Sequence, residues 1–288
     1  MTTEPSHFSG VFMQNLKEKI KIIDKLILDD TPQSLVYAAL ECRLAIELIC
    51  YERLKVSIGK MSKNDVDWQP KKVIRQILAE ENPNATEELT LSNSPEPNKE
   101  TDSKPTLEEF KAKSYVKLGM QSELNINKLA RYYQALSNLA LHVSVPKNQT
   151  IQAYGDATII KRKLGEALVQ LRAVSCGNLV LGGIGPEYKF QCLTCDSLIT
   201  RKVSVLHEGK IVHCNSCIES YLISISECEI FYSRNVYEIP CDICSTTSLL
   251  PKNLFRNMRV EECHDLKCDG CGKNLYVRLM PTMYKYRE

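Results

Sequence analysis

The chain has 288 residues, enough for one or two domains plus accessory modules around a sizeable core. Its 37 basic and 35 acidic residues leave a formal charge of +2, which excludes a polybasic coat, and its 43% hydrophobic and 25% charged content is that of a globular protein. The unusual quantity is cysteine: of 13 residues, eight form four Cys-x2-Cys pairs near the end of the chain.

The N-terminus lacks a basic start followed by a long apolar run, and 18 consecutive apolar residues occur nowhere, so the expectation is a soluble, cytoplasmic protein without a membrane partner. In a reducing compartment, cysteine pairs at ligand spacing indicate a metal site rather than a disulfide framework, and an odd total fits disulfides poorly.

In chain order, residues 11 to 30 gather Val11, Leu16, Ile20, Ile23, Leu26 and Ile27 on one face and predict an amphipathic helix. Thr31-Pro32 reads as a break and restart, with Thr31 as cap and Pro32 in the first turn. From there to about Ser57 the chain is apolar on most faces, which predicts a central helix. Cys42 and Cys50 lie in it eight residues apart, roughly 12 Å along the axis, so they are expected to pack in the core rather than share a metal. A shorter helix is predicted over Pro70 to Glu80. A flexible loop is predicted at about 82–105, with Glu88 to Leu91 as a strand pairing with Ser114 to Leu118. Helices over Asn125 to His142 and Gly155 to Cys176 complete a helical domain at 1–180, and the glycines from Gly177 to Gly185 with Pro186 read as a hinge.

The cysteine pairs then carry the chemistry. Cys192/Cys195 and Cys214/Cys217 are separated by 18 residues, and Cys241/Cys244 and Cys268/Cys271 by 23. Two intervening residues allow a tight turn that aims both sulfurs at one point, and two such turns supply the four donors of a tetrahedral zinc. The expected cofactors are two structural Zn2+ per chain, because a catalytic zinc would keep one position open. In the first module (187–230), ITRKVSVLHEGKIVH predicts a hairpin turning at Glu208-Gly209, and IESYLISI predicts a helix, an arrangement that resembles a treble-clef finger. In the second (236–288), Gly272 to Met280 predicts a strand and resembles a zinc ribbon. His213, Cys263 and His264 are alternative ligands by position, while Cys228 and Cys263 are spare thiols in the four-thiolate scheme. The fold class is thus α+β multidomain: an N-terminal helical bundle followed by two small zinc-stabilised β-rich modules.

After Gly185 the chain has 13 basic and 13 acidic residues. Each loaded site would add four thiolate charges against the +2 of zinc, which makes the metal-bound region acidic. Attraction to phosphate then requires Arg201, Lys202, Lys210, Arg256, Arg259 and Lys273 to collect on one face.

In NKLARYYQALSNLALHVSVP, Arg131, Asn138 and His142 are candidate catalytic residues, with His142 as acid or base and Arg131 steadying phosphate. Arg131 and His142 stand eleven residues apart, roughly 16 Å on a straight helix, so another segment or subunit would have to help them. The YAALECRLAIELICYERL and LARYYQALSNLALHV helices resemble those of HEPN-type domains of prokaryotic defence and toxin systems, over about residues 10 to 180. Active ribonucleases of that type carry an arginine four to six residues before the histidine; the corresponding positions here are Ala135, Leu136 and Ser137, and only His142 carries over. The resemblance therefore implies a binding or assembly role in a defence or regulatory system, with a homodimer through the helical domain and a protein or nucleic acid as partners. The alternatives are a metal-independent ribonuclease using His142, Asn138 and Arg131, and a DNA-binding regulator acting through the zinc modules.

Overall fold

The computed structural model describes residues 8–62, 67–96, 106–143, 155–227 and 229–280. It divides into two compact units, Met1–Ile58 with Val66–Ile184, and Gly59–Asp65 with Gly185–Glu288. The second unit takes a short piece of chain from the N-terminal part, which the sequence expectation of a helical domain over 1–180 does not include.

In the first unit, α1 (Phe8–Asp29) and α2 (Pro32–Lys55) form an antiparallel pair. Asp30, at a φ of 46°, breaks the chain between them. Thr31 caps α2 in a reciprocal box with Ser34, and Pro32 occupies the first turn as the sequence indicates. Leu16, Ile20 and Ile23 of α1 are buried, as are Leu35, Cys42, Ile46, Ile49 and Cys50 of α2. Helices α3 (Pro70–Glu80), α5 (Ile126–Ala140) and α6 (Ala157–Ser175) all pack against α2, which makes it the central element. Between α3 and α5 lie β1 (Leu89–Asn93), the short α4 (Leu107–Ala112) and β2 (Val116–Gln121). Strands β1 and β2 pair antiparallel from Leu89 opposite Gln121 to Asn93 opposite Val116. Of the loop expected at 82–105, residues 97–105 lie outside the described residues.

Helix α5 stops two residues short of its expected end, with Leu141 as its C-cap. Val143 is β-branched and Pro146 biases the residue before it away from helix, so nothing favours another turn. The expected hinge is also partly fixed. Asn178 bonds Met120 with both its N–H and its side-chain oxygen, and the Leu181 N–H donates to Gln121 Oε1 at 3.0 Å. A Cβ on Gly177 would lie 2.7 Å from Ser122 Oγ and 2.9 Å from Ser122 N, so this glycine is present for close approach to β2 rather than for bending.

The second unit is built from small antiparallel sheets: β3 (Glu187–Gln191) with β4 (Leu198–Lys202); β5 (Ile211–His213), β6 (Ser220–Ser226) and β7 (Glu229–Arg234) in that order; β8 (Val236–Pro240) with β9 (Thr247–Pro251); and β10 (His264–Lys267) with β11 (Asn274–Val277). Two sequence expectations are corrected here. The segment after Cys217 is the strand β6, not a helix, so the element on which the treble-clef likeness rested is replaced by a β-meander. The turn at Gly209 exists, with φ +75°, but β4 and β5 on its two sides pair with β3 and β6 rather than with each other.

Candidate metal centres

Each Cys-x2-Cys pair sits on a tight turn whose backbone bonds are set by the chain itself. Asp196 N donates to Cys192 O at 2.9 Å and Cys192 N to Ser197 O at 3.0 Å. The same ring recurs as Ser245 N to Cys241 O at 2.9 Å with Cys241 N to Thr246 O at 2.9 Å, and as Gly272 N to Cys268 O at 2.9 Å with Cys268 N to Lys273 O at 2.8 Å. Asp196, Ser245 and Gly272 all have positive φ, at 56°, 60° and 70°. The residue after the second cysteine therefore turns left-handed in three of the four knuckles and frees the sulfurs to point inward. The Cys214/Cys217 knuckle closes differently, with Cys214 N donating to Glu219 O at 2.9 Å as the chain enters β6.

These turns bring the cysteines into two groups of four, Cys192, Cys195, Cys214 and Cys217, and Cys241, Cys244, Cys268 and Cys271, each with all sulfurs within 4.8 Å of one another. The cross-pair separations are 3.6 Å for Cys192 to Cys217 and Cys195 to Cys214, 3.8 Å for Cys241 to Cys271, and 3.5 Å for Cys244 to Cys268. A disulfide needs about 2.05 Å, so these are not bonded pairs. Four sulfurs at about 2.3 Å from a central ion stand about 3.8 Å apart along the edges of a tetrahedron, close to the spacing found. The donor sets fit one metal ion each, two per chain.

The two groups differ in their surroundings. Cys192 and Cys214 are buried in a cluster with Phe190, Ile199, Val212, Tyr221 and Ile223. Tyr221 is fully buried; its hydroxyl accepts from Leu193 N at 2.7 Å and donates to Cys192 Sγ at 3.2 Å. Burial and this bond to Cys192 push the Tyr221 phenol well above its ordinary pKa, so it is a fixed donor. Glu219, whose side chain is 1% exposed, pairs with Arg234 of β7 at 2.5 Å and ties the second knuckle to the sheet. In the second group Cys244 and Cys271 are exposed, and only Cys241 and Cys268 are buried. In both groups one thiol is strongly acidic. The Ser197 hydroxyl and N–H hold Cys195 at about 6, and the Thr246 hydroxyl and N–H hold Cys244 at about 6. Burial pushes Cys217 up.

The alternative ligands stay outside. Among the described residues only the eight cysteines form groups with metal-binding geometry. His213 lies in β5 with its carbonyl accepting from Arg201 Nη2 at 2.8 Å, His264 packs edge-on against Phe255, and Cys263 is exposed. Cys42 and Cys50 are fully buried in the helical unit, with burial raising both thiols to about 12. Cys176 is exposed, and Cys228 lies outside the described residues.

Arg131 and Asn138 lie on the exposed side of α5, and Asn138 Oδ1 accepts from Gln134 Nε2 at 3.3 Å. His142 is exposed beyond the helix end. Of the six cations considered for phosphate, two are consumed internally. Arg201, 2% exposed, donates to the carbonyls of Lys60, Thr200 and His213 and to Asn215 Oδ1. Lys202, 6% exposed, pairs with Glu187 at 2.8 Å. Sequence reasoning missed Tyr221, Glu219 and Arg201 as supports of the first metal group. The alternation of Tyr221 and Ile223 was the available signal, and it was masked by exposed apolar neighbours.

No helix among the described residues is long and apolar enough to cross a membrane. Comparison with protein-family models, curated proteins and solved structures finds no match to this chain.

Proposed function

We propose that this is a zinc protein in which two four-thiolate sites hold a β-rich unit in shape for binding a macromolecular partner, with the helical unit acting in assembly rather than catalysis. The observation that carries this reading is the completeness of both donor sets: four thiols per group at tetrahedral edge spacing leave no position for a water or substrate. Zinc is the reading favoured over iron because closed four-thiolate tetrahedral sites are the ordinary structural setting of that ion. With both ions bound, eight thiolate charges against two dications give the region a net addition of about −4. Together with the internal use of Arg201 and Lys202, this favours a protein partner over a nucleic acid. An assembly role for the helical unit is supported by the exposure of Arg131, Asn138 and His142 and by the eleven positions that separate Arg131 from His142.

Elemental analysis of the purified full chain tests the metal assignment, with two zinc ions per chain expected and a value near zero or one overturning it. Chelation should collapse the β-rich unit while helical circular dichroism largely persists, because structural thiolate sites couple metal binding to folding. Incubation with labelled RNA tests the assembly role, which wild-type cleavage lost in His142→Ala would overturn.

A further inference from the structure

Three carboxylates of the helical unit take no part in holding its fold. Strands β1 and β2 pair from Leu89 opposite Gln121; Glu87 and Glu88 precede that pair on one strand, and Glu123 follows it on the other. The Leu124 N–H donates to Thr86 O at 2.9 Å, so the two chains stay side by side past the ladder and keep these acidic residues at one end of the sheet. All three are exposed, and among the described residues none of their carboxylates has an ion-pair or hydrogen-bond partner.

Two cavities open at this end. One, of about 450 Å³, is lined by Leu78, Leu124 and Ile126 together with Glu87, Glu88 and Glu123. The other, of about 380 Å³, runs from Glu88, Glu123 and Asn125 to Ser122, Gln170 and Cys176. The residues they share make them two ends of one cleft, in the size range of small-molecule sites. The second end contains a polar group that the fold leaves unsatisfied. Ser122 is 6% exposed, its carbonyl accepts from Arg53 Nη2 at 3.2 Å, and its Oγ is buried without a hydrogen-bond partner. A buried hydroxyl in that state is destabilising, and an N–H donated by a bound molecule would relieve it.

The chemistry of the lining selects the ligand. Three carboxylates against one ammonium, that of Lys128, favour a cation. The helix ends at the cleft offset each other, since Asn125 caps the positive end of α5 and Cys176 the negative end of α6. A bare metal ion does not fit, because among the described residues only the eight cysteines converge closely enough to hold one. Carboxylates set apart from one another match ammonium groups set apart from one another. Leu78, Leu124 and Ile126 at one end, and Met120 and Ala173 at the other, offer apolar surface to the methylenes that join such groups.

We infer that this cleft binds a linear aliphatic polyamine, with Glu88 and Glu123 holding ammonium groups and Ser122 Oγ accepting from a ligand N–H. The site lies wholly in the helical unit and stands independently of the metal assignment.

The test is isothermal titration calorimetry of the full zinc-loaded chain with spermidine at about 0.15 M salt, where diffuse surface attraction is screened. One-to-one binding with a Kd below about 1 mM is expected, and about 5 mM Mg2+ should change it by less than about twofold. Glu88→Gln and Glu123→Gln should each weaken binding by about fivefold or more, and Ser122→Ala by about threefold. Glu18→Gln, on α1, should leave it unchanged. Ser122→Ala removes a hydroxyl on which no other group depends, and circular dichroism establishes that each variant is folded. Absence of binding, displacement by Mg2+, or equal weakening by Glu18→Gln would overturn the inference. So would wild-type affinity in folded Glu88→Gln and Glu123→Gln, wild-type affinity in folded Ser122→Ala, or tighter binding of a lysine tetrapeptide than of spermidine.

Discussion

The hydroxyl of Tyr221 provides the sharpest check on the first metal centre. Tyr221→Phe removes one oxygen and keeps the ring, whose edge contacts with Phe190 at 5.1 Å and Tyr232 at 5.7 Å hold the core. Two bonds are lost: donation to Cys192 Sγ at 3.2 Å and acceptance from Leu193 N at 2.7 Å. A hydrogen bond to a charged acceptor contributes about 1.5–3 kcal/mol, and partners of metal ligands change affinity by about 10–100-fold when removed. Leu193 is exposed, so water can replace its lost acceptor, and the expected effect is about tenfold, or about 1.4 kcal/mol. Competition between the loaded full chain and a chromogenic chelator reads this directly. Wild type should release the ion of the exposed Cys241/Cys244/Cys268/Cys271 group first and that of the Tyr221-capped group later. The variant should lose its two ions at more similar chelator concentrations, with helical signal unchanged. Unchanged release from the first group, or a change confined to the second, would refute the role given to this hydroxyl.

Further outcomes follow from other contacts. Glu219→Gln leaves Arg234 without its carboxylate beside a buried position and should cost the β-rich unit about 2–3 kcal/mol, measured by urea unfolding with zinc present; a loss under about 0.5 kcal/mol counts against a structural pair. Gly177→Ala forces a methyl group onto Ser122 and should lower the stability of the helical unit by about 1–3 kcal/mol, seen as a reduced melting temperature. Lys202, Lys60 and Lys189 hold the Glu187 carboxyl at about 2. Its folded pKa is depressed, so its contribution is full above the unfolded value of about 4.3 and is lost as pH falls through about 2. Melting curves of wild type and Glu187→Gln should therefore converge between about pH 4.3 and 2, and a constant gap across that window would contradict the cluster. Alkylation of the native loaded chain at pH 8 should label Cys176 and Cys263 and spare Cys42 and Cys50, whose thiols stand at about 12; mass spectrometry of the digest reads the outcome.

Much of the architecture was legible because it rests on local rules. The Thr31-Pro32 restart, the Pro70 to Glu80 helix and the four knuckles each follow from a few adjacent residues and hold in the structure. The failures arise where two patterns overlap. Ile218, Tyr221, Leu222 and Ile225 fall at helical spacing, yet Ile223 and Ile225 are β-branched and β6 gains ladders on both sides, which long-range pairing alone decides. Helix α4 opens on a reciprocal capping box between Thr106 and Glu109, but its six residues include no buried one, so no apolar periodicity marks it in the sequence. The supports of the first metal centre were illegible for a different reason: Tyr221 reaches back to the Cys192/Cys195 turn, and Arg201 joins Asn215 of the Cys214/Cys217 turn to the Lys60 carbonyl, contacts between distant positions that only folding makes.

The carbonyl of Lys60, bonded by the buried guanidinium of Arg201, and the ammonium of Lys60, paired with Glu187 at 2.7 Å, belong to a short stretch inserted between α2 and α3. The metal-bearing region is thus not a bead that can be cut loose at Gly185. A fragment beginning there would keep all eight thiols and still take from the buried Arg201 its Lys60 acceptor, and from Glu187 its Lys60 partner. The unit is discontinuous in sequence, and a fragment meant to keep it whole has to carry the Gly59–Asp65 stretch as well.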